Sequence, residues 1–565
     1  MRPGFPRASE LKRWPLFRGF AGWRMHDLGS DLTAGITLAA IAIPEQMATA
    51  RLGGFAPTTG LMTFICGSIA FALFGSSRVL SVGADSTITP IFAGSLALLA
   101  ASGSPHYLGI ASLLALMSGM VLLTAGIFRM GWIANLLSIP VMTGFLAGIA
   151  IHIIASQLPA LLGLASPGGD LPHRLAELAA MIGQTNVFSL TLGIGVFAIT
   201  LLAERLSGRI PGALLAVVGA TAVSVVYSLE SHGVEVIGQV ATQLPSLTIG
   251  DFKAPDAIRL IPLALIIAIV SMVQTAATTR AFVRDGDTPD VNGDFVGVGA
   301  SDVLCGLLGG FAVNASPPRS GAVAETGGRS QLAGLLAAAG IAALLLFGAN
   351  LLAHIPVAAL AGVLLFVALR IVRVQVMGRV WTQARGEFLL IAATTTAIAL
   401  LPIQTGVGVG IALSLLHGIW AMTRARPIEL ERIPGTTVWW PESASLKGEK
   451  LENVMVLAFQ APLAFMNANI FERDIIAEID GRTALQLVVL EASSIVEVDF
   501  TAAQSIARIL LYCRARNIKF LVARLESMRA LAAFEKFGLS TLLGDGCVFH
   551  SVQDAIFAFH ATKEA

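Results

Sequence analysis

The sequence predicts a polytopic α-helical membrane protein with about fourteen spans, followed by a smaller soluble α/β domain. Of its 565 residues, 55% are hydrophobic and only 13% are charged, and the mean hydropathy is +0.77. Soluble domains carry about 25% charged residues, so most of this chain belongs in a lipid bilayer. The formal net charge of +1 gives no reason to expect a nucleic-acid partner.

The N-terminal segment, residues 1–27, is basic and precedes the first apolar run. It contains no short apolar region followed by a small-residue cleavage site, so it is not read as a secretory signal. The positive-inside rule places this end in the cytoplasm, and an even number of spans returns the C-terminus to the same side. We expect a multi-pass protein of the plasma (inner) membrane. The basic residues are Arg2, Arg7, Lys12, Arg13, Arg18 and Arg24.

Residues 28–426 form the predicted transmembrane domain. Apolar runs long enough to cross the hydrocarbon core as helices follow one another through this region. One short polar element, the tenth, interrupts the series. The other predicted spans lie near residues 28–50, 57–75, 84–100, 108–128, 132–162, 187–203, 211–227, 258–282, 295–311, 332–353, 357–374, 388–401 and 406–423.

The tenth element has the sequence FAVNASPPRSGAVAETGG. Adjacent prolines interrupt the helical hydrogen-bond ladder, and an interrupted backbone is tolerated in a bilayer only where protein or water surrounds it. Ser316 before Pro317 and Pro318 predicts a new helix, with the serine hydroxyl accepting a hydrogen bond as the N-cap. The positive end of this helix and Arg319 would together bind a small anion. The alternative is a loop, with Arg319 extending to the membrane interface.

Two short segments indicate that the transmembrane domain contains two related halves, about residues 28–228 and 258–424. SVGADS at residues 81–86 and AVNASP at residues 312–317 each interrupt an apolar stretch and share a V-x-A core. Interrupted spans at corresponding positions of two halves are typical of inverted repeats with a binding site between facing half-helices. The alternative is a chance match of small residues.

The first span contains an acid near its middle. In ITLAAIAIPEQMATARLGG, Pro44 is expected to break the helix and is followed by Glu45. A carboxylate at membrane depth must be paired, hydrated or protonated, and burial favours the protonated form of a carboxylic acid. Glu45 is therefore the candidate proton-coupling residue. The alternative is a fixed ion pair with Arg319 or Arg51 that only connects helices.

The eighth span offers neutral hydrogen-bonding groups. Gln274 and Thr278 are four residues apart and so share one helical face, with Thr275 on the neighbouring edge. Amide and hydroxyl groups suit the oxygens of an oxyanion. The alternative is that the threonines bond to their own backbone or to neighbouring helices.

Several motifs, taken in order along the chain, resemble the SulP anion transporters. They are IPEQMATARLGGFAPTTGL, ALFGSSRVLSVGADS, GLLGGFAVNASPPRSGAV and GGRSQLAGL. The resemblance implies a seven-plus-seven inverted repeat, in which a core of spans one to four and eight to eleven moves against a gate of the remaining spans in an elevator-like cycle. It also implies an anion site between the starts of the third and tenth spans. The residues there are Gly83, Ala84, Asp85, Ala315, Ser316 and Arg319.

The sequence departs from the family pattern in its acids. The residue after the first-span proline is commonly Gln in the family but is Glu45 here, and the carboxylate often found in the eighth span is replaced by Gln274. This exchange disfavours sodium coordination and favours proton coupling. Asp85 is unexpected beside an anion site, although it could cap the third helix through backbone N–H groups. The charge of the substrate therefore stays open.

A linker, residues 427–452, is predicted to lead to a soluble domain, residues 453–565. There, β-type runs such as VMVLAF and LQLVVLEAS alternate with amphipathic runs such as AAQSIARILLYCRARN, which predicts an α/β sheet. The domain resembles the STAS domain of the same family, so dimerisation or binding of a cytoplasmic partner is the expected role. Thr501 lies where related anti-sigma-factor antagonists carry a phosphorylatable serine, but a helix N-cap explains this threonine as simply.

The leading hypothesis is a secondary transporter of inorganic anions, coupled to protons and most consistent with sulfate uptake. The alternatives are bicarbonate or fumarate as the substrate, an uncoupled anion channel or exchanger, and a membrane sensor. No enzyme is expected, because no nucleophile–base pair or metal-ligand cluster occurs at the span ends. Beyond the anion and protons, the expected partners are lipid and a second copy in a homodimer. No cofactor, metal or disulfide is expected from Cys66, Cys305, Cys513 and Cys547.

Overall fold

The computed structural model describes residues 16–135, 138–165, 171–206, 211–238, 254–283, 288–441 and 448–564. Four of the six basic residues of the N-terminal segment lie outside this described part, as do residues 442–447 of the predicted linker. The chain divides into two compact units, Met1–Ser414 and Leu415–Ala565.

The first unit is almost entirely helical, since a helix satisfies its own backbone hydrogen bonds at membrane depth. Over the described residues, seven segments are long and apolar enough, by length and composition alone, to cross a membrane. The elements are α1 Leu28–Leu52, α2 Pro57–Phe74, β1 Val82–Gly83, α3 Thr89–Ala97, α4 Pro105–Ile127, α5 Ile139–Leu162, α6 Leu171–Met181, α7 Val187–Leu206, α8 Gly212–Val226, α9 Ala254–Ala281, α10 Val291–Leu307, β2 Asn314–Ala315, α11 Pro317–Glu325, α12 Leu332–Phe347, α13 Ala349–Ala353, α14 Val357–Ile371, α15 Val374–Gln383, α16 Arg385–Leu400 and α17 Ile403–Thr423.

The helices of the first unit pack in two groups that meet along α1. In the first group, α10 packs against α2 and α4, α12 against α1, and α9 against α4. In the second group, α14 packs against α5 and α7, α16 against α5, and α7 against α8. Helix α1 also contacts α8 and α14, so the boundary between the groups runs along it.

The two interrupted elements meet inside the first group. Strand β1 pairs antiparallel with β2, so that Val82 is opposite Ala315 and Gly83 is opposite Asn314. The similar segments found in the sequence are therefore hydrogen-bonded to each other. Helix α11 begins at Pro317, as the sequence predicts. Helix α3 begins at Thr89, later than the predicted start near residue 84, because residues 86–88 first form a turn.

Helices α7 and α14 approach so closely at one point that no side chain fits between them. A Cβ atom added to Gly362 of α14 would lie 2.3 Å from the carbonyl oxygen of Gly193 in α7. Backbone cannot give way as a side-chain tip can, and overpacking typically costs about 1–3 kcal/mol. We therefore expect Gly362→Ala to lower the thermal unfolding temperature of the detergent-purified protein. Gly195→Ala is the control because a Cβ there meets nothing within 4 Å; an equal loss in both variants would contradict the prediction.

The second unit contains a six-stranded sheet with the strand order β4-β3-β5-β6-β7-β8. Strands β5 to β8 are parallel, whereas β3 is antiparallel to both of its neighbours. The apolar faces of the helices and the fully buried central strands share one core. The elements are β3 Pro427–Arg432, β4 Trp439–Pro441, β5 Val454–Phe459, α18 Ala468–Asp480, β6 Leu487–Glu491, α19 Phe500–Ala515, β7 Lys519–Ala523, α20 Met528–Lys536, α21 Leu539–Leu543, β8 Val548–Phe549 and α22 Val552–Glu564.

The predicted linker, residues 427–452, is wrong in its described part, which contributes β3 and β4 to the sheet. Pro427 lies opposite Phe459, so the sheet begins before the predicted domain boundary. In PIELER the apolar side chains alternate with acids over only a few residues, too short a pattern to separate a strand from an extended linker. Thr501 is also not the N-cap of α19. Asp499 has that role, and its carboxylate accepts the N–H of Ala502 at 2.8 Å.

Candidate functional site

A cavity of about 380 Å³ lies between the two helix groups of the first unit. Helices α1, α9 and α11 and the turn before α3 form one wall, and α5, α8 and α14 form the other. Of the nine predicted site residues, five line this cavity and four lie behind its first wall. Those in the lining are Glu45, Asp85, Gln274, Thr278 and Ser316, and those behind it are Gly83, Ala84, Ala315 and Arg319.

Arg319 is completely buried in the first turn of α11. Its Nη1 donates to Glu45 Oε1 at 2.6 Å and to the carbonyl oxygen of Ala84 at 3.2 Å, and its Nε donates to Ser81 Oγ at 3.4 Å. Its Nη2 is buried with no hydrogen-bond partner among the described residues. Leaving a buried donor unpaired is unfavourable, so Nη2 is available to an additional acceptor such as an anion oxygen.

Glu45 lies between Arg319 and the cavity. Its side chain is 7% exposed and lines the cavity, whereas the side chain of Arg319 is 0% exposed. An anion that enters the cavity therefore meets Glu45 before it reaches the guanidinium. The ion pair with Arg319, one of the alternatives left open by the sequence, is present in the structure. Arg51 instead pairs with Glu235, at 3.3 Å.

Pro44 does not break the first helix, contrary to the prediction. Helix α1 continues from Leu28 to Leu52 with the proline inside it. A proline removes only the hydrogen bond of its own missing N–H and, when it kinks a helix, need not end it. Glu45 is consequently held on a continuous helix rather than at a free helix end.

Gln46 fixes the segment after β1 and was not among the predicted site residues. Its Nε2 donates to the carbonyl oxygen of Ala84 at 2.9 Å, and the N–H of Ala84 donates to its Oε1 at 2.7 Å. The side-chain amide thus pairs with this backbone as a neighbouring strand would. The signal in the sequence is a second polar residue directly after Glu45 at membrane depth, where an amide needs both a donor and an acceptor.

Ser316 is the N-cap residue of α11, but its hydroxyl makes no capping hydrogen bond, which corrects the prediction. The next two residues are prolines and have no N–H, so the first partners of a capping hydroxyl are missing. Ser316 Oγ is buried without a hydrogen-bond partner in the described structure, as is Asn314 Nδ2. Because Ser316 lines the cavity, its hydroxyl is free to contact a ligand there.

Asp85, Thr87 and Gln274 form a hydrogen-bonded group in the cavity wall. Asp85 Oδ1 accepts the backbone N–H of Thr87 at 2.9 Å and also contacts Thr87 Oγ1. Asp85 therefore binds the turn that precedes α3, while Ile88 is the N-cap residue of that helix. Thr278 shares the cavity with Gln274 but donates its hydroxyl to the carbonyl oxygen of Gln274 at 2.7 Å, the backbone bond left open as an alternative.

The cavity extends towards the face of the unit that carries the N-terminal segment. Its lining continues to Glu325 at the end of α11 and to the exposed Arg370 and Arg373 near the end of α14. Arg18, in the N-terminal segment, pairs with Asp290 just before α10. This contact places the N-terminal segment and the connection from α9 to α10 on the same face.

The fold and the site define a polytopic helical membrane protein with a polar, cationic site between two interrupted helices and an appended α/β domain. The profile of the sulfate permease family matches residues 28–394, and that of the STAS domain matches residues 446–555. The chain belongs to the sulfate permease family. The resemblance identified from the motifs and the predicted fold class are confirmed; the number of spans and the inverted repeat stay predictions.

Two curated relatives illustrate the similarity. A probable sulfate transporter of Mycobacterium tuberculosis is 32% identical over 547 residues, covering 96% of this chain and 97% of its own. Solute carrier family 26 member 10 of Mus musculus is 25% identical, covering 99% of this chain and 86% of its own.

Two solved structures share the fold. The murine anion transporter of the Solute Carrier 26 family in the inward-facing state gives a TM-score of 0.88 at 19% identity, covering 99% of this chain and 96% of that one. The transmembrane domain of the cyanobacterium bicarbonate transporter BicA gives a TM-score of 0.60 at 24% identity, covering 70% of this chain and 98% of that one. At these identities the two structures establish the fold alone.

Proposed function

We propose that this protein is a secondary anion transporter whose substrate binds between the segment after β1 and the start of α11. The observation that carries this proposal is Arg319. It is a fully buried guanidinium at the positive end of a half-helix, with one nitrogen free of hydrogen-bond partners among the described residues. A helix N-terminus and a guanidinium together favour an anion. Ser316 Oγ adds a free hydroxyl on the cavity side.

Glu45 is proposed to couple the anion to a proton. While it is ionised, its carboxylate binds Nη1 of Arg319 and cancels the charge that an anion would need. A proton on Glu45 removes this competing negative charge and leaves the guanidinium available. The anion and the ionised carboxylate therefore compete for the same cation, and binding of the anion brings a proton with it.

Transport is proposed to follow an elevator-type cycle in the plasma membrane. The first helix group, with β1, β2, α3 and α11, would move against the group of α5, α7, α8, α14 and α16. Positive-inside orientation makes the N-terminal face cytoplasmic, so a cavity extending towards that face corresponds to an inward-facing state. The STAS domain is proposed to be cytoplasmic and to mediate homodimerisation or to bind a partner.

Sulfate is the proposed substrate, supported by the names of the curated relatives, with bicarbonate and fumarate as the competing substrates. The test is uptake of each labelled anion into liposomes that contain the purified protein. One inward-directed pH unit should drive at least about tenfold accumulation of the substrate, since one coupled proton contributes a factor of ten per unit. Uptake driven by sodium, or anion current that ignores the proton gradient, would contradict the proposal.

A further inference from the structure

The hydrogen bonds around Asp85 form a closed ring. Asp85 Oδ1 contacts Thr87 Oγ1, Thr87 Oγ1 lies 2.8 Å from Gln274 Oε1, and Gln274 Nε2 lies 3.3 Å from Asp85 Oδ2. Each of these three contacts needs one hydrogen atom between its two heavy atoms. The side-chain inventory of the three residues shows whether enough hydrogens are present.

An ionised Asp85 leaves the ring one hydrogen short. The hydroxyl of Thr87 has a single hydrogen, which can go to Asp85 or to Gln274 but not to both. Exchanging the oxygen and nitrogen of the Gln274 amide, a choice that heavy-atom positions do not fix, moves the deficit without removing it. In that orientation Gln274 donates to Thr87 and Thr87 donates to Asp85, but Gln274 Oε1 then faces Asp85 Oδ2 with no hydrogen between them.

One added proton on Asp85 closes the ring in either orientation. In the first, Asp85 donates to Thr87, Thr87 donates to Gln274 Oε1, and Gln274 Nε2 donates to Asp85 Oδ2. In the second, the proton is on Oδ2 and is donated to the amide oxygen of Gln274. Buried polar groups in folded proteins are overwhelmingly paired, and Asp85 is only 4% exposed. The protonated acid is thus the form that fits its neighbours.

We propose that Asp85 carries a proton in this conformation and is a second proton-carrying residue, so that two protons accompany each anion, one on Glu45 and one on Asp85. This inference rests on the proposed function of proton-coupled anion transport. It assigns a role to the residue that the sequence left unexplained beside an anion site.

The charges around Asp85 favour the same conclusion. Arg319 donates to the carbonyl oxygen of Ala84, the neighbour of Asp85, and it also pairs with Glu45. With both acids ionised, this part of the wall carries two negative charges and one positive charge, which repels a divalent anion at low dielectric. Two protons change that balance to one net positive charge. The remaining charged groups in the described cavity lining are near the mouth, and they are Glu325, Arg370 and Arg373.

Infrared spectroscopy of the purified protein tests the protonation directly, without transport. At neutral pH we expect a carbonyl band of a protonated carboxylic acid that disappears in Asp85→Asn. In Thr87→Val the same band should shift to higher frequency, because the hydroxyl that bonds to the acid is gone. An unchanged carboxylic-acid region in Asp85→Asn would overturn the proposal, as would a band that is insensitive to Thr87→Val.

The proton stoichiometry tests the role in transport. In liposomes with the membrane potential clamped at zero, we expect one pH unit to balance about a hundredfold anion gradient in the wild type, since two protons each contribute a factor of ten. In Asp85→Asn the balancing gradient should fall to about tenfold. Asp302→Asn is the matched control: Asp302 is fully buried in α10, away from the described cavity lining, where it accepts the N–H of Val313 at 2.6 Å. Its balancing gradient should stay at about a hundredfold.

The outcomes separate this inference from the proposed function. A wild-type balance of about tenfold, or an unchanged hundredfold balance in Asp85→Asn, would overturn the second proton while leaving proton-coupled transport intact. Absence of any proton-driven uptake in the wild type would overturn the proposed function and this inference with it.

Discussion

Replacing Arg319 with glutamine is expected to reduce sulfate uptake by about a hundredfold or more. The substitution removes the fully buried cation at the positive end of α11 and the Nη2 donor that is free for an anion. Truncating one partner of a buried, hydrogen-bonded charge pair costs about 2–5 kcal/mol, and about 1.4 kcal/mol corresponds to a factor of ten. The measurement is the initial rate of labelled sulfate uptake in liposomes at equal protein content.

A structural role of Arg319 must be separated from a role in binding, because Arg319→Gln leaves Glu45 buried without its partner. An uncompensated buried charge is strongly destabilising, so the single variant should also unfold at a lower temperature. Glu45→Gln combined with Arg319→Gln removes both charges and is expected to recover thermal stability but not uptake. Recovery of uptake in this double variant would show that the arginine only balances Glu45, and the proposed anion site would be wrong.

The interrupted elements could be predicted from the sequence because their signals are local. Two prolines in an apolar stretch fix where α11 begins, and the V-x-A segments mark the strands that pair, Val82 opposite Ala315. The meeting of Glu45 with Arg319 could be anticipated as one alternative, since few charges lie at membrane depth and each needs a partner. Choosing between Arg319 and Arg51 required the structure, which places the two ends of α1 on opposite sides of Glu45.

Other features depend on atoms that are distant in sequence. The role of Gln46 is set by the backbone of Ala84, thirty-eight residues away. The hydroxyl of Ser316 does not cap α11, because the two prolines that identify the helix start also remove its first partners. The ring of Asp85, Thr87 and Gln274 joins residues of two different helix regions, and only their distances reveal the missing hydrogen.

Glu45→Gln is expected to flatten the pH dependence of sulfate binding. In the wild type, the ionised carboxylate competes with sulfate for Arg319, so affinity should fall as the pH rises through the range in which Glu45 loses its proton. Each proton that must be bound together with the anion contributes a factor of about ten in affinity per pH unit. The glutamine cannot ionise, so one such factor should be lost, and sulfate should bind more tightly to the variant than to the wild type at alkaline pH.

Equilibrium binding of labelled sulfate to the detergent-purified protein, measured over a series of pH values, provides the readout. Glu325→Gln is the matched control, because Glu325 lines the same cavity near its mouth but lies at the far end of α11 from Arg319. This variant should keep the wild-type pH slope. If Glu45→Gln keeps the full wild-type slope as well, Glu45 is only a structural partner of Arg319 and the proton is carried elsewhere. If the slope falls in Glu45→Gln alone, the competition between carboxylate and anion explains why this family member has an acid at a position where a neutral amide is common.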